Sequence, residues 1–587
     1  MQDRDGGLTS ITRFVPGLAA ARSYERAWIG RDVVAGLVLT ALLVPQGMAY
    51  AELAGLPAIT GLYTSIMCLL AYAVFGPSRI LVLGPDSSLG PMIAATIIPL
   101  VGADGDPAKA IALASMLAIL VAAFTIAAGV AKLGFIADLF SKPTQIGYMN
   151  GLALTILVGQ LPKLFGFSVD GDGFLEELRG FAQGVVDGDT LGAALAVGVG
   201  GLVVILVLNK VAPKIPGVLV AVVGAIAVVV IFDLGAEGVS LVGELPQGFP
   251  PFTIPSVSWS DLGLLVMGAL GITLVSLTDT ISTSSAFAAR TGQEVDANQE
   301  MVGIGTANLA AGLFQGFPVS TSGSRTAVAE QAGAKSQLTG VVGAVAITAM
   351  LLFAPGLMRN LPQPVLASVV IAASLSLADI KGTRRLWRQR RMEFGVSMAA
   401  FVGVALLGVL PGIGLAVVIS ILNVFRRMWR PYRTELAEVP GLDGFHDVEV
   451  HDDVERIPGL VMFRFDAPLV FANARTFRDE IRLLAATDPR PIWILVAAEP
   501  ITDVDTTAAD MLEDLDEELN AEGTSLVFAE MKSPVQAKID RYELTRTIDP
   551  AHFFHTLDDA VEAFRALHGT GPGGSADPAD PTPPTEP

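Results

Sequence analysis

Two short runs carry the residue types that could hold an anion inside an apolar protein. Residues 79–94 read as a β-like apolar stretch, a Gly84-Pro85 break, then Asp86, Ser87 and Ser88 at a helix start; residues 314–329 repeat that grammar in the second half of the chain. The second run brings Arg325 together with Ser320, Thr321, Ser322 and Ser324. A charged side chain inside a membrane segment is costly and usually faces a site or a cavity. Hydroxyls, a guanidinium and the free N–H groups of a half-helix would together replace an oxyanion's hydration shell. Paired broken segments at matching places in two halves are the best pointer in a sequence to a transporter's binding site. The plainer reading is two Gly/Pro-kinked helices, with Arg325 paired to a carboxylate for structure alone.

Other polar residues in apolar surroundings extend the set. Gln46 lies between Pro45 and Gly47 in an apolar stretch, where it either lines a cavity or bonds a neighbouring helix. Asp86 is either an N-cap or a proton-linked group. Asp279, in Leu277-Thr278-Asp279, stands deep in another apolar stretch beside Ser282. Desolvation favours the neutral form of a carboxyl, so Asp279 is an available proton carrier; Thr278 and Ser282 could instead help ligate Na⁺. As a structural residue, Asp279 would be the partner of Arg325. Glu52 is expected near the outer end of the first span, and Glu330 to be solvated or paired.

The elements that must position these groups follow from composition. The chain has 587 residues, 52% hydrophobic and 16% charged, with a mean hydropathy of +0.57; soluble proteins carry about 25% charged residues. The net charge of −20 divides sharply. Residues 1–434 hold 27 Lys/Arg and 26 Asp/Glu, whereas residues 435–587 hold 11 and 32. About 14 apolar segments are long enough, or nearly so, to cross a bilayer. They include Val33–Ala54, Gly61–Phe75, Leu262–Ala288 and the interrupted Pro85–Leu100 and Ser320–Gly333. Basic clusters at Arg22–Arg31, Lys210–Lys214, Lys381–Arg391 and Arg426–Arg433 alternate with acidic or neutral loops. By the positive-inside rule both termini are expected to be cytoplasmic. The expected organisation is an N-terminal segment (1–30), a membrane domain (31–434), an acidic α/β domain (435–568) and a disordered Gly/Pro/Asp-rich tail (569–587).

The same arithmetic excludes several classes. One cysteine, Cys68, permits no internal disulfide. All five histidines lie beyond residue 440, so the membrane part has no His-based metal site or relay; His552 and His555 have metal spacing but no evident third ligand. A charge of −20 argues against a nucleic-acid partner. There is no ATP-binding loop and no nucleophile–base pair, so neither an enzyme nor a cofactor is expected. In the acidic part Val461–Phe465, Pro491–Val496 and Thr524–Ala529 read as strands, and Ala474–Ala486, Thr506–Ala521 and Thr556–Leu567 as helices.

Several motifs resemble the sulfate permease family, which includes the solute carrier 26 anion transporters. They are Asp32-Val-Val-Ala-Gly-Leu, Val44-Pro-Gln-Gly-Met-Ala-Tyr-Ala, Leu56-Pro-Ala-Ile-Thr-Gly-Leu-Tyr-Thr-Ser, Gly76-Pro-Ser-Arg, the run from Gly292 to Glu300, Asn308-Leu-Ala-Ala-Gly-Leu-Phe-Gln-Gly-Phe-Pro-Val-Ser and Ala334-Lys-Ser-Gln-Leu-Thr-Gly. The resemblance implies an α-helical polytopic membrane protein of fourteen segments in a 7+7 inverted repeat. It also implies core and gate domains, half-helices at the third and tenth segments facing the anion, a homodimer and elevator-like alternating access. Ser324-Arg325 and Gln46 match the family's anion-site positions; Asp86 stands where many relatives are apolar or aromatic. Ser322, Ser87 and Ser88 are expected to line the site from their place at the half-helix starts. Asp279 matches a carboxylate associated with cation coupling. The acidic part resembles the STAS domain (sulfate transporter and anti-sigma-factor antagonist). Val504-Asp-Thr-Thr-Ala matches its phosphorylation motif, putting Thr506 at that place, with helix capping by Asp505 or Thr506 as the plainer use.

The resulting expectation is a secondary active transporter of a small inorganic oxyanion in the plasma (bacterial inner) membrane, importing sulfate with protons. Bicarbonate or a dicarboxylate, with Na⁺ or H⁺ coupling or by exchange, is the alternative. A transporter-derived anion sensor, signalling to cytoplasmic regulators through the STAS domain, is the alternative of another class.

Overall fold

The computed structural model describes residues 15–102, 105–134, 141–169, 173–212, 215–291, 295–451 and 453–569. Residues 1–14 of the N-terminal segment, Pro213 and Lys214 of a basic cluster, Gly292–Glu294 and residues 570–587, about which expectations were formed above, lie outside that set. The chain divides into two units, residues 1–420 and 421–587.

In the first unit a short helix α1 (Pro16–Arg22) precedes α2 (Ile29–Leu53) and α3 (Ala58–Phe75). A two-residue strand β1 (Leu83–Gly84) leads to α4 (Gly90–Val101), then α5 (Pro107–Val130), α6 (Lys142–Phe165), α7 (Phe174–Asp187), α8 (Gly192–Val211) and α9 (Gly217–Phe232). The second half follows the same order. It comprises α10 (Trp259–Thr291), α11 (Ala297–Leu313), β2 (Ser320–Thr321) with α12 (Gly323–Gln331), α13 (Leu338–Phe353), α14 (Gln363–Leu377), α15 (Ile380–Gln389), α16 (Arg391–Leu407) and α17 (Val409–Trp429), whose residues from Ile421 on are counted with the second unit. Setting aside α1, α7 and α15, the described residues hold seven membrane-type segments on each side of the midpoint, and the strand-plus-short-helix unit is third in both sets. Among the described residues seven helices are long and apolar enough to span a bilayer, and α4, α9 and α13 are shorter apolar helices.

Packing sorts the helices into two groups. α11 lies along α5 and α3, and α13 along α2 and α3; α6 packs on α14 and α16, and α8 on α9 and α14. The groups meet where α14 and α9 touch α2, an arrangement fitting a core and a gate. With lipid outside, small residues rather than burial from water let such helices approach. On α3, a Cβ at Gly61 would lie 1.9 Å from the Gly47 carbonyl oxygen of α2. Gly61→Val is therefore expected to part these helices and destabilise the protein by about 3 kcal/mol or more, read as a lower melting temperature and lost monodispersity in detergent. Exposed apolar residues such as Val203, Val207, Val223 and Ile231 give α8 and α9 a lipid-compatible surface.

The second unit carries a six-stranded mixed sheet. Its strands are β3 (Arg433–Glu438), β4 (Phe445–Asp447), β5 (Leu460–Phe465), β6 (Trp493–Ala497), β7 (Ser525–Ala529) and β8 (Phe553–Phe554), in the order β4-β3-β5-β6-β7-β8. β5 to β8 run parallel, and β3 is antiparallel to both neighbours. The sheet takes in Arg433 and Thr434, on the N-terminal side of the expected start at 435, because they pair with Phe465 and Arg464. Side chains alternate across the strands. Phe463, Phe465, Ile494, Val496 and Phe528 face α18 (Ala474–Ala485), α19 (Thr506–Ala521) and α20 (Ser533–Arg541). Met462, Trp493, Leu495 and Val527 face α21 (Leu557–His568).

Asp505 is the N-cap of α19, its carboxylate accepting from Ala508 N–H at 2.8 Å, while Thr506 is exposed in the first turn. Farther along α19, Asp516 is 1% exposed and accepts from Asn520 Nδ2 at 2.9 Å. Burial pushes its carboxyl up to about 6. A carboxyl raised on folding holds its proton more tightly in the folded state. Its contribution is therefore complete below about pH 4 and is lost as pH rises through about 6, on the order of 2 kcal/mol in all. Asp516→Asn should remove that slope, read by hydrogen exchange of the β7 amides, corrected for intrinsic exchange chemistry, between pH 4.5 and 7.

Candidate anion site between two half-helices

A mid-membrane chain break leaves backbone groups that lipid cannot satisfy. Here they are satisfied by one another and by buried side chains. β1 and β2 pair antiparallel, Leu83 opposite Thr321 and Gly84 opposite Ser320. Ser322 N–H donates to the Val82 carbonyl (3.1 Å), and Val82 N–H to Thr326 Oγ1 (3.0 Å). Asn308 on α11 both accepts from Val319 N–H (2.9 Å) and donates to its carbonyl (3.2 Å). Ser276 on α10 donates to the same carbonyl (3.1 Å), Ser115 on α5 donates to the Gly316 carbonyl (3.1 Å), and Thr64 on α3 accepts from Phe317 N–H (3.1 Å). The crossed strands thus hang in a frame of four helices.

This frame sets the two half-helices. Ser322 caps α12, its Oγ accepting from Arg325 N–H (3.4 Å) and lying 3.0 Å from Ser324 Oγ. The expectation that Asp86 opens the first half-helix is corrected. α4 starts at Gly90 with Pro91 in its first turn and Leu89 as an N-cap that makes no side-chain bond. Asp86 instead closes the preceding turn, its Oδ1 accepting from Ser88 N–H (2.9 Å) and Ser88 Oγ (2.7 Å). A short polar side chain bonding the backbone two residues on is the Asx-turn geometry.

Arg325 is 1% exposed and reaches across to the other repeat. Its Nη1 donates to the Pro85 carbonyl at 2.5 Å, and its Nη2 lies 3.6 Å from Asp86 Oδ2. Gly84 makes room for it, since a Cβ there would come within 3.2 Å of Nη1. Nε and Nη2 are buried with no hydrogen-bond partner among the described residues. Two unsatisfied donors on a buried cation are the chemistry an oxyanion completes.

Asp279 joins from α10. Its Oδ2 lies 3.3 Å from Ser88 Oγ, which places Ser88 between the two carboxylates. A continuous polar line therefore runs Asp279–Ser88–Asp86–Arg325. Asp279 pairs with Asp86 through Ser88 rather than directly with Arg325. Ser87 is buried; the Tyr50 hydroxyl of α2 meets its side chain and feels the charges of Asp86 and Arg325. Gln46 is half-buried one helical turn before Tyr50 on the same face. From α6, Tyr148 feels the charges of both Asp279 and Asp86. Ser324 is exposed and Asp86 and Asp279 are partly so.

Four residues that hold the site are scaffold rather than ligands. Besides Asn308, Asp32 is wholly buried and binds the start of α13, accepting from Lys335 N–H (2.6 Å), Ser336 N–H (3.2 Å), Ser336 Oγ (2.7 Å) and Thr339 Oγ1 (3.2 Å). Glu300 accepts from the hydroxyls of Tyr72 and Ser78, and Gln337 donates to the Ser78 and Leu81 carbonyls at 2.8 and 2.9 Å. Only Asn308 gave in the sequence the signal Asp279 gave, a polar residue in apolar surroundings. Asp32 beside Arg31, Glu300 at the end of Asp296-Ala-Asn-Gln and Gln337 after Lys335-Ser336 sit in polar runs that do not single them out. Among the described residues no cluster of three or more His, Cys, Asp or Glu side chains could hold a metal.

Comparison with known proteins converges on the same architecture. The profile of the Sulfate permease family matches residues 29–400, and that of the STAS domain residues 451–560. A probable sulfate transporter of Mycobacterium tuberculosis is 41% identical over 94% of this chain and 98% of its own length. The Arabidopsis thaliana probable sulfate transporter 3.3 is 29% identical, over 93% and 90%. The structure of the murine Solute Carrier 26 family member A9 anion transporter in the inward-facing state superposes with a TM-score of 0.87, covering 95% of each chain at 24% identity. The chain belongs to the sulfate permease family: it is a multi-pass membrane anion transporter, not an enzyme, with a C-terminal STAS domain.

Proposed function

We propose that the anion is sulfate, imported with protons by alternating access, and that it binds between the α4 and α12 N-terminal ends. The observation that carries this reading is the pair of buried, unsatisfied Arg325 nitrogens at the end of the line Asp279–Ser88–Asp86–Arg325. Ser322, Ser324, Ser87, Ser88 and Gln46 supply further neutral donors around them. The relatives' names, probable sulfate transporters, support sulfate over other oxyanions.

Hydrogen counting supports a proton step. Ser88 Oγ has one hydrogen, which it gives to Asp86. A carboxylate at Asp279 would then face the lone pairs of Ser88, whereas a protonated Asp279 donates to them. With Asp279 protonated, the local charges are Asp86⁻ and Arg325⁺, and an entering dianion meets one carboxylate rather than two. Losing the proton restores the second negative charge and expels the anion. In this reading the two helix groups exchange access to the site, both termini and the STAS domain lie in the cytoplasm, the membrane is the plasma membrane, and the chain works as a homodimer. Thr506, exposed in the first turn of α19, serves as a regulatory phosphorylation site.

Uptake of labelled sulfate, bicarbonate and fumarate into proteoliposomes tests the choice of anion. Sulfate uptake competed only by excess sulfate-like oxyanions is expected. Faster uptake of bicarbonate or fumarate, with sulfate neither carried nor competing, would overturn it.

A further inference from the structure

The helix α15, which takes no part in the anion site, connects α14 to α16 and carries the densest positive charge of the membrane unit. Lys381, Arg384, Arg385 and Arg388 on the helix, Arg390 just after it and Arg391 at the start of α16 all project exposed side chains, against two carboxylates in the same stretch, Asp379 and Glu393. Asp379 caps the helix, accepting from Gly382 N–H at 2.7 Å; six cations against two carboxylates leave the stretch strongly positive.

The helix is also amphipathic in a particular way. Gly382 and Leu386 are buried against the protein, while Trp387 (54%) and Ile380 (74%) on the helix and Met392 (52%) at the start of α16 are exposed beside the cations. The Trp387 ring is fixed rather than free, edge-on to Phe394 at 4.8 Å with the Arg391 guanidinium 5.7 Å above it. The helix is tied at both ends: the apolar helix α14 stops at Leu377, three residues before α15, and α16 begins at Arg391, with only Arg390 between them. Asn150 on α6 holds the junction, its Oδ1 accepting from Asp379 N–H (2.7 Å) and its Nδ2 donating to Thr383 Oγ1 (2.9 Å).

We propose that α15 is a docking surface for the headgroups of anionic phospholipids. A tryptophan and apolar side chains set among arginines match both layers of a membrane interface, the apolar residues entering the acyl boundary and the guanidiniums taking lipid phosphates. An acidic protein partner would use the cations but leave Trp387, Ile380 and Met392 without a counterpart. Through Asn150 the lipid contact bears on α6, and so on the group of α6, α14 and α16 rather than on the half-helices.

The test places the full chain in vesicles of phosphatidylcholine with a quarter of phosphatidylglycerol, brominating either one lipid or the other. Tryptophan quenching assigned to Trp387, by subtracting the Trp387→Phe protein, should be about threefold stronger per brominated phosphatidylglycerol than per brominated phosphatidylcholine. Arg384→Gln/Arg385→Gln/Arg388→Gln should bring the two to equality. Equal quenching by the two lipids in the unaltered protein would overturn the proposal without reference to any variant. So would an excess that the triple substitution leaves intact. An excess appearing only after removal of residues 570–587 would overturn it too, assigning the basic face to the chain's own acidic tail.

Discussion

Arg325→Ala is expected to abolish anion uptake and to weaken sulfate binding by roughly a hundredfold or more. The guanidinium offers two donors, Nε and Nη2, that nothing else among the described residues satisfies. Hydrogen bonds to charged groups contribute about 1.5–3 kcal/mol each, so losing two exceeds a factor of a hundred. The substitution also leaves Asp86 without its cation at 3.6 Å, which makes the site repel an anion. Folding should survive better than binding, because the strand crossing is held by Asn308, Ser276, Ser115 and Thr64 rather than by Arg325. Arg325→Lys separates charge from geometry: it restores a cation but not the planar donor fork, and should recover only part of the affinity. Calorimetric titration with sulfate of the monodisperse variants measures both effects, and unchanged affinity in Arg325→Ala would remove the anion from this position.

Asp279→Asn is expected to leave the anion site intact and to uncouple it from protons. The asparagine amide can donate to Ser88 Oγ as the protonated acid does, so the line to Asp86 and Arg325 persists. What disappears is the release of a proton. Sulfate exchange between the two sides of a vesicle should continue, whereas net accumulation driven by an acid exterior should fall at least about tenfold, the change expected per pH unit for a one-proton step. The pH profile of exchange should flatten. Measuring exchange and accumulation on one preparation distinguishes this outcome from simple damage, which lowers both.

Much of this architecture was legible in the chain, and the limits have physical causes. The Gly-Pro break at Gly84-Pro85 and the polar run Ser320–Arg325 mark places where a helix cannot continue, so the half-helices could be read directly. That β1 and β2 pair could not be read, because two-residue strands have no periodicity. The turn at Asp86 was misread as the helix start, although Pro91 in the first turn of α4 is the ordinary sign of where a helix begins. Capping of α12 by Ser322 and of α19 by Asp505 followed the usual preference. The harder distinction was between scaffold and site. Asp32, Glu300 and Asn308 are as deeply buried as any ligand, but their partners are backbone amides, carbonyls and hydroxyls of neighbouring helices. Arg325 differs only in having donors left over, and that is visible in three dimensions alone. In the STAS domain the strands β5, β6 and β7 and the helices α18, α19 and α21 were plain from their pattern, whereas the interior strand β3, which starts in the basic cluster and has no strict apolar alternation, was not. The short edge strands β4 and β8 and the nine-residue α20 carried too few residues for any periodicity to show.

The most direct test of the whole account is accumulation of labelled sulfate in proteoliposomes across an imposed pH gradient, acid outside. The account predicts that sulfate rises above its equilibrium level inside, that a protonophore collapses this accumulation, and that equal pH on both sides gives equilibration only. Sulfate uptake indifferent to the gradient would contradict the proton step, and absence of sulfate uptake by folded protein would contradict the assignment of the anion.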